Sequence, residues 1–266
     1  MKYRIDHDYH IHSSLSSCSG DPLETKEALF NYAKTNGLSE ICVTDHYWDS
    51  AVQGASSWYA PQNFEHIASI KPLPEDAETK FLFGCETDMD KHLALGIPKE
   101  RFDDFDFVII PTTHLHMRGF TIEESDIDSN AARAKLWVKR FDALLNSDIP
   151  FRKVGIAHLV CCLLDNRSHE HFLKTLSLIP DDDMERLFCR AAEVGCGIEL
   201  NQYDMAFADN EADILLRPFR IAKATGCKFY LGSDAHHPND FNTMIKNSSR
   251  AIDLLGLEEK DKFRLN

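Results

Sequence analysis

Histidines and carboxylates recur in this chain where short apolar runs end. His10-Ile11-His12 closes the first run, Thr44-Asp45-His46 follows Ile41-Cys42-Val43, and Glu86 follows Phe81-Leu82-Phe83-Gly84. His114 comes after Phe107-Val108-Ile109-Ile110, His158 after Val154-Gly155-Ile156-Ala157, and Asp234-Ala235-His236 after Phe229-Tyr230-Leu231-Gly232-Ser233. Neutral imidazole and carboxylate are ligands for Zn, Mn or Fe, whereas an all-oxygen Ca or Mg cage would not need so many histidines. His10 and His12 share one face of a strand, because side chains alternate with period two, and so do Asp234 and His236. Glu86 has two oxygens and can bridge one ion to a neighbour, whose shell His114 and His158 can complete. Asp8 lies on the face of His10 and reads as a supporting residue rather than a ligand. One histidine at a strand end is commonly a hydrogen-bonded structural residue; the recurrence at successive strand ends is what points to metal. His7, His66, His92, His169 and His171 fall outside the pattern and read as surface or packing residues.

Residues so far apart in sequence meet only if their strands share one end. Parallel strands closed into a barrel do this, since their carboxyl ends open on a common mouth. Strand-like and helix-like patterns do alternate. A helix over 23–36, with Asp21 as its cap, Pro22 in its first turn and Gly37 at its end, precedes a strand at 41–44. Helices over Asn130–Leu145, 183–194 (stopped by Gly195) and 212–225 (closed by Gly226) precede strands at Val154–Ala157, 197–200 and 228–231. About seven buried apolar strands are predicted, in an α/β fold of one closed or nearly closed β/α barrel spanning residues 1–266 as a single domain. Segments 47–61 and 117–129 fit neither pattern; each follows a strand-end motif, where long loops surround a barrel's site.

The 266 residues are 43% hydrophobic, enough for a full core. A net charge of −14 with no basic run opposes a nucleic-acid partner, since phosphate backbones are bound chiefly through Lys and Arg. Bound divalent cations would offset part of that charge at the mouth, leaving an anionic substrate open. No apolar signal or membrane-spanning stretch is evident, so a cytoplasmic protein without a membrane partner is expected. The eight cysteines contain no Cys-x-x-Cys pair and read as mostly reduced and inert.

His10-x-His12, Thr44-Asp45-His46, Glu86, His114, His158 and Gly232-Ser233-Asp234-Ala235-His236 resemble, in order, the motifs of the PHP superfamily, named for polymerase and histidinol phosphatase. The resemblance runs from about residue 8 to about 237 and implies a distorted seven-stranded β/α barrel with up to three divalent ions. It implies His10, His12, Glu86 and Asp234 around one ion, Glu86, His114 and His158 around a second, and His46 and His236 at the third. Family members usually add a His or Asp to that third ion from the loop after His-x-His; here Cys18 stands nearest that place, and a thiolate there would favour zinc. Asp21 is the other candidate, but its capping role accounts for it.

Two bridged ions can activate a water as hydroxide and steady an in-line displacement at phosphorus, so phosphate ester hydrolysis is the expected reaction, with no covalent enzyme intermediate. His236 or His46 would move a proton to the leaving group, and Asp234 would complete the catalytic set. His116, Arg118, Arg167, Arg217 and His237 are candidates to hold the remaining phosphate oxygens of a small phosphorylated metabolite, with Trp48 and Trp58 as a wall. Length and the Asp8-Tyr9-His10-Ile11-His12-Ser13 opening are similar to stand-alone histidinol phosphatases, although the scaffold also serves other phosphomonoesters and nucleotide phosphodiesters. Two readings compete. An amidohydrolase-like enzyme would need a metal-bridging lysine, and 107–114 has none; a non-catalytic metal-binding module would not need so complete a ligand set.

Overall fold

The computed structural model describes residues 1–123 and 129–265, so part of the 117–129 segment lies outside the described residues. A parallel sheet runs in the order β1 (His7–Ile11), β2 (Glu40–Val43), β4 (Lys80–Thr87), β5 (Phe107–Pro111), β6 (Val154–Ala157), β7 (Gly197–Asn201) and β8 (Lys228–Gly232). The two-residue β3 (His46–Tyr47) pairs with the far end of β4. An Ile11–Ala235 bridge brings β1 to the segment after β8, and the seven strands form the nearly closed, TIM-like barrel expected.

Alternation along the strands divides the core. Tyr9, Cys42, Leu82, Phe107, Ile109 and Tyr230 pack together with Phe263 from the C-terminal segment, and these rings fill the bore near its amino end. The neighbouring positions, such as Ile11, Ile41, Val108, Ile156 and Leu231, join the apolar faces of the helices in a larger outer core. With the lower bore filled, the carboxyl mouth is left for polar groups.

The seam between β1 and β8 is half ladder and half side chain. His12 N donates to Ala235 O (3.1 Å) and Asp234 N to His10 O (2.6 Å). Further down, Leu231 N donates to His7 Nε2 (3.1 Å) and Ser233 N to Asp8 Oδ1 (3.0 Å). Asp8 also accepts from Tyr32 Oη (2.9 Å), so it is a fully buried strut between the strands, as the sequence suggested. Burial pushes its carboxyl up to about 6 despite these hydrogen bonds.

The helices cover the outside: α1 (Lys26–Asn36), α2 (Phe64–Ala68), α3 (Asn130–Leu145), α4 (His169–Ser177), α5 (Asp181–Val194), α6 (Ala212–Leu215), α7 (Arg217–Ala224) and α8 (Phe241–Leu255). Two expectations need correction. The first helix is capped by Thr25, whose hydroxyl accepts from Ala28 N (3.2 Å); Asp21 instead accepts from Leu23 N (2.8 Å) in a preceding turn. The helix expected over 212–225 is divided into α6 and α7, with Pro218 at the start of the second, because a proline ring has no amide to donate and obstructs the turn before it. Among the described residues no helix is long and apolar enough to cross a membrane.

Candidate metal centre

Strand register sets the ligands. His46 and Glu86 are direct neighbours across the β3–β4 pair, and β1 carries an irregularity between Asp8 and Ile11, of the kind that re-aims side chains at barrel rims. His10 Nε2 and His12 Nε2 stand 3.2 Å apart. Asp234 Oδ1 lies 3.2 and 3.3 Å from them, and Glu86 Oε2 3.4 and 3.3 Å. Asp234 and Glu86 thus each close a triangle on the His10–His12 pair. Bonds of about 2.0–2.1 Å to a tetrahedral ion put ligand atoms about 3.3–3.4 Å apart, which is the spacing each of the two carboxylates keeps to the paired imidazoles.

Glu86 divides its oxygens. Oε2 also lies 3.2 Å from His46 Nδ1, while Oε1 faces His158 Nε2 at 3.7 Å, and neither oxygen has a hydrogen-bond partner although the residue is fully buried. An orphaned buried carboxylate among imidazoles is costly unless a cation completes it. Metal-capable groupings, with ligand atoms all within 4.8 Å, are His10–His12–Asp234, His10–Glu86–His158 and His12–Cys18–His46–His236. Cys18 is thus brought to His46 and His236. His114 is outside these groupings but lines the same cavity, its Nδ1 held by Asp88 at 2.9 Å, which leaves Nε2 as its ligand atom.

Residues with no strand-end signal fix the ligands from behind. Glu199, buried on β7, holds His10 Nδ1 at 2.5 Å and accepts from His158 N at 2.8 Å. His12 Nδ1 is bound to Ser16 Oγ (2.8 Å), which donates to Asp45 (2.8 Å). Such partners fix the ring orientation and leave the other nitrogen for a metal. Only glycine fits at 232, where a Cβ would stand 2.1 Å from Glu199 Oε1 and 2.7 Å from His10 Cβ. His158 and Asp234 have φ of 53° and 52°, the left-handed region that costs non-glycine residues energy and is seen chiefly at functional sites. A glutamate in the apolar run Gly197-Ile198-Glu199-Leu200 was the one available sequence signal for Glu199.

Charge is arranged for metal. Burial would raise Glu86 and Asp234, yet His46 and His10 beside Glu86, and His10 and His158 beside Asp234, hold both carboxyls well below their usual range. Burial pushes His46 and His158 down and His236 to about 4, so these imidazoles are neutral ligands at neutral pH. His12 resists burial and is lifted to about 9 by Asp234 and Glu86; a cation arriving there displaces a proton.

Above the ligands opens a cavity of about 530 Å³. Trp58, Tyr59, Met117, Phe120 and Leu163 give it apolar walls, with His116 and Arg118 among them. Trp58 lies edge-on to His46, ring centres 4.9 Å apart, whereas Trp48 is buried behind it. Three expected phosphate ligands are not at the cavity. Arg167 is bound bidentately to Asp165 (2.8 and 2.6 Å). Arg217 ties the carbonyls of Leu176 and Ile179 (2.6 and 3.0 Å), and His237 pairs with Asp21 at 2.9 Å. Sequence proximity to a strand end did not reveal these nearer partners.

A parallel β/α barrel with histidines and carboxylates converging on its carboxyl mouth defines a metal-dependent hydrolase. The chain belongs to the PHP domain family, whose model matches residues 8–201, and it is a metal-dependent phosphoesterase of that family. Among solved structures it is similar to a histidinol phosphate phosphatase from Lactococcus lactis subsp. lactis Il1403, complexed with zinc, L-histidinol and phosphate. The TM-score is 0.61 at 19% identity, over 97% of this chain and 98% of that one. A chain of an archaeal ribonuclease P with mature tRNA matches at a TM-score of 0.39 and 14% identity, over 94% of this chain and 90% of that one. No curated protein sequence matches.

Proposed function

We propose that the protein is a phosphomonoesterase of the histidinol-phosphatase kind, working with two or three divalent ions drawn from Zn, Mn or Fe. The observation that supports this best is the convergence of Asp234 and Glu86, each at 3.2–3.4 Å, on the paired Nε2 atoms of His10 and His12, with the second oxygen of Glu86 turned to His158. His10, His12, Asp234 and Glu86 would hold one ion, Glu86, His158 and His114 a second, and His46, His236 and Cys18 a third. When bound, these ions acidify water and neutralise charge building on the phosphoryl oxygens. The side chains position that chemistry.

His236 donates from Nδ1 to the Asp234 carbonyl (2.7 Å), which leaves Nε2 for the cavity. Burial, and then the charge of His12, hold it near 4, so at neutral pH it is a ligand or proton acceptor rather than an acid. His116 and Arg118, which line the cavity, would bind phosphate oxygens, and the Trp58 wall would receive the ester's organic group. The full length of the histidinol phosphate phosphatase barrel is matched, which makes L-histidinol phosphate the first substrate to test.

Phosphate release from L-histidinol phosphate should be measured beside other phosphomonoesters and phosphodiesters, on protein loaded with Mn or Zn. A specificity constant above ~10⁴ M⁻¹s⁻¹ for L-histidinol phosphate alone, the ordinary enzyme range, supports the proposal. Weak, even hydrolysis of all esters rejects the substrate and keeps the chemistry; no hydrolysis by metal-loaded protein rejects both.

A further inference from the structure

A separate group of metal-capable side chains lies beside the centre. A ring nitrogen of His158, the Cys161 sulfur and an Asp204 oxygen all stand within 4.8 Å of one another. His158 and Cys161 follow β6 and Asp204 follows β7, its hydrogen-bonded neighbour, so adjacent loops at the mouth bring the three together. The PHP pattern accounts for His158 but for neither of the others.

Two features set this group apart from a chance cluster. His158 is only 6% exposed and turns Nε2 to the centre, yet its Nδ1 has no hydrogen-bond partner. His10, His12 and His114 each have that nitrogen fixed by a carboxylate or hydroxyl, as buried metal-binding imidazoles ordinarily do. Asp204, half-buried, accepts from Val160 N at 3.5 Å, and among the described residues no cationic side chain pairs with it. Glu199 and Asp234 are its acidic neighbours, and a carboxylate so placed gains from a cation.

We propose that His158, Cys161 and Asp204 form an accessory zinc subsite on the β6–β7 side of the mouth, where His158 would bridge to the centre as an imidazolate, its ring N–H proton and the Cys161 thiol proton being released as zinc binds. By strand order β8 lies between this side and β1, which Cys18 follows. One nitrogen, one sulfur and one oxygen donor suit zinc, and the thiolate disfavours manganese. Cys161 lines the cavity, so the subsite borders the space where a substrate would lie. The subsite is independent of which ester is hydrolysed.

The test is cobalt titration of the reduced, demetallated full-length protein, read by the thiolate-to-cobalt charge-transfer band, with zinc content measured in parallel. Cys161→Ser should lose one equivalent of zinc and one share of the band, and Cys162→Ser neither. Asp204→Asn, which keeps the thiol, should weaken that same equivalent about 10–100-fold, providing a readout should Cys161→Ser fold poorly. Unchanged stoichiometry and band in Cys161→Ser, unchanged affinity in Asp204→Asn, or loss confined to Cys162→Ser overturns the proposal, whatever the phosphatase assay shows.

Discussion

Replacing Glu199 by glutamine preserves its volume and removes its charge, in a residue that touches no proposed substrate position. Its two oxygens serve His10 Nδ1 (2.5 Å) and His158 N (2.8 Å). Glutamine has one acceptor oxygen, so in either orientation its amide donor faces another donor, and one charge-assisted hydrogen bond is lost. A hydrogen bond to a charged group contributes about 1.5–3 kcal/mol. Loss of a residue that orients a metal ligand ordinarily costs about 10–100-fold in affinity, or about 1.4–2.7 kcal/mol. The two estimates agree, and Glu199→Gln should bind zinc about 10–100-fold more weakly in competition with a chromophoric chelator. Gly232→Ala should do the same by steric means, since its Cβ would arrive 2.1 Å from Glu199 Oε1. An affinity within twofold of the parent in a folded Glu199→Gln protein would falsify the claim that this carboxylate positions the ligands.

Arg118→Ala, at a residue that lines the cavity, should raise KM for a phosphate ester about tenfold, roughly one hydrogen bond to a charged group, while Arg167→Ala and Arg217→Ala, at residues that do not line it, leave kcat/KM within about twofold at a temperature where they remain folded; steady-state kinetics on the three decides. Trp58→Ala should weaken binding of aromatic phosphomonoesters more than of small aliphatic ones, and equal loss for both would refute a role as the organic-group wall. Burial tends to raise Asp165, but Arg167, Thr175 and then Arg133 hold it at about 2. A carboxyl whose pKa is depressed by folding stabilises the fold above its unfolded value near 4 and loses that contribution as pH falls toward 2. The melting temperature of Asp165→Asn should therefore be lower at pH 7 and fall less between pH 5 and 3 than that of the parent, followed by circular dichroism.

The barrel was legible in the sequence because each strand is a short apolar run and the ligands recur at one end of it. His10, His12, Glu86, His158 and Asp234 were found by that rule, and the structure brings them within a few ångströms of one another. Cys18 was found by its place in a motif rather than by its chemistry. Glu199 was not found, because a buried acid inside a strand has no local sign and its meaning depends on a partner 189 residues away. The arginines were misplaced for a related reason. A guanidinium binds whichever carboxylate or carbonyl tertiary packing offers first, and Arg167 and Arg217 meet theirs before they reach the mouth.

The seam between β1 and β8 joins strands remote in sequence, with Ser233 bonded to a residue 223 positions earlier. His10 and His12 stand on one side of that seam and Asp234 on the other. The position shared by His10, His12 and Asp234 therefore cannot exist in a nascent chain until residue 234 has been made, and long-range closures of this kind are slow to form. A divalent ion bound there acts as a clasp on the last closure of the fold, contributing about 2.7 kcal/mol at a hundred times its dissociation constant. Acquisition of the cofactor would thereby add to the hydrogen bonds that already hold this seam.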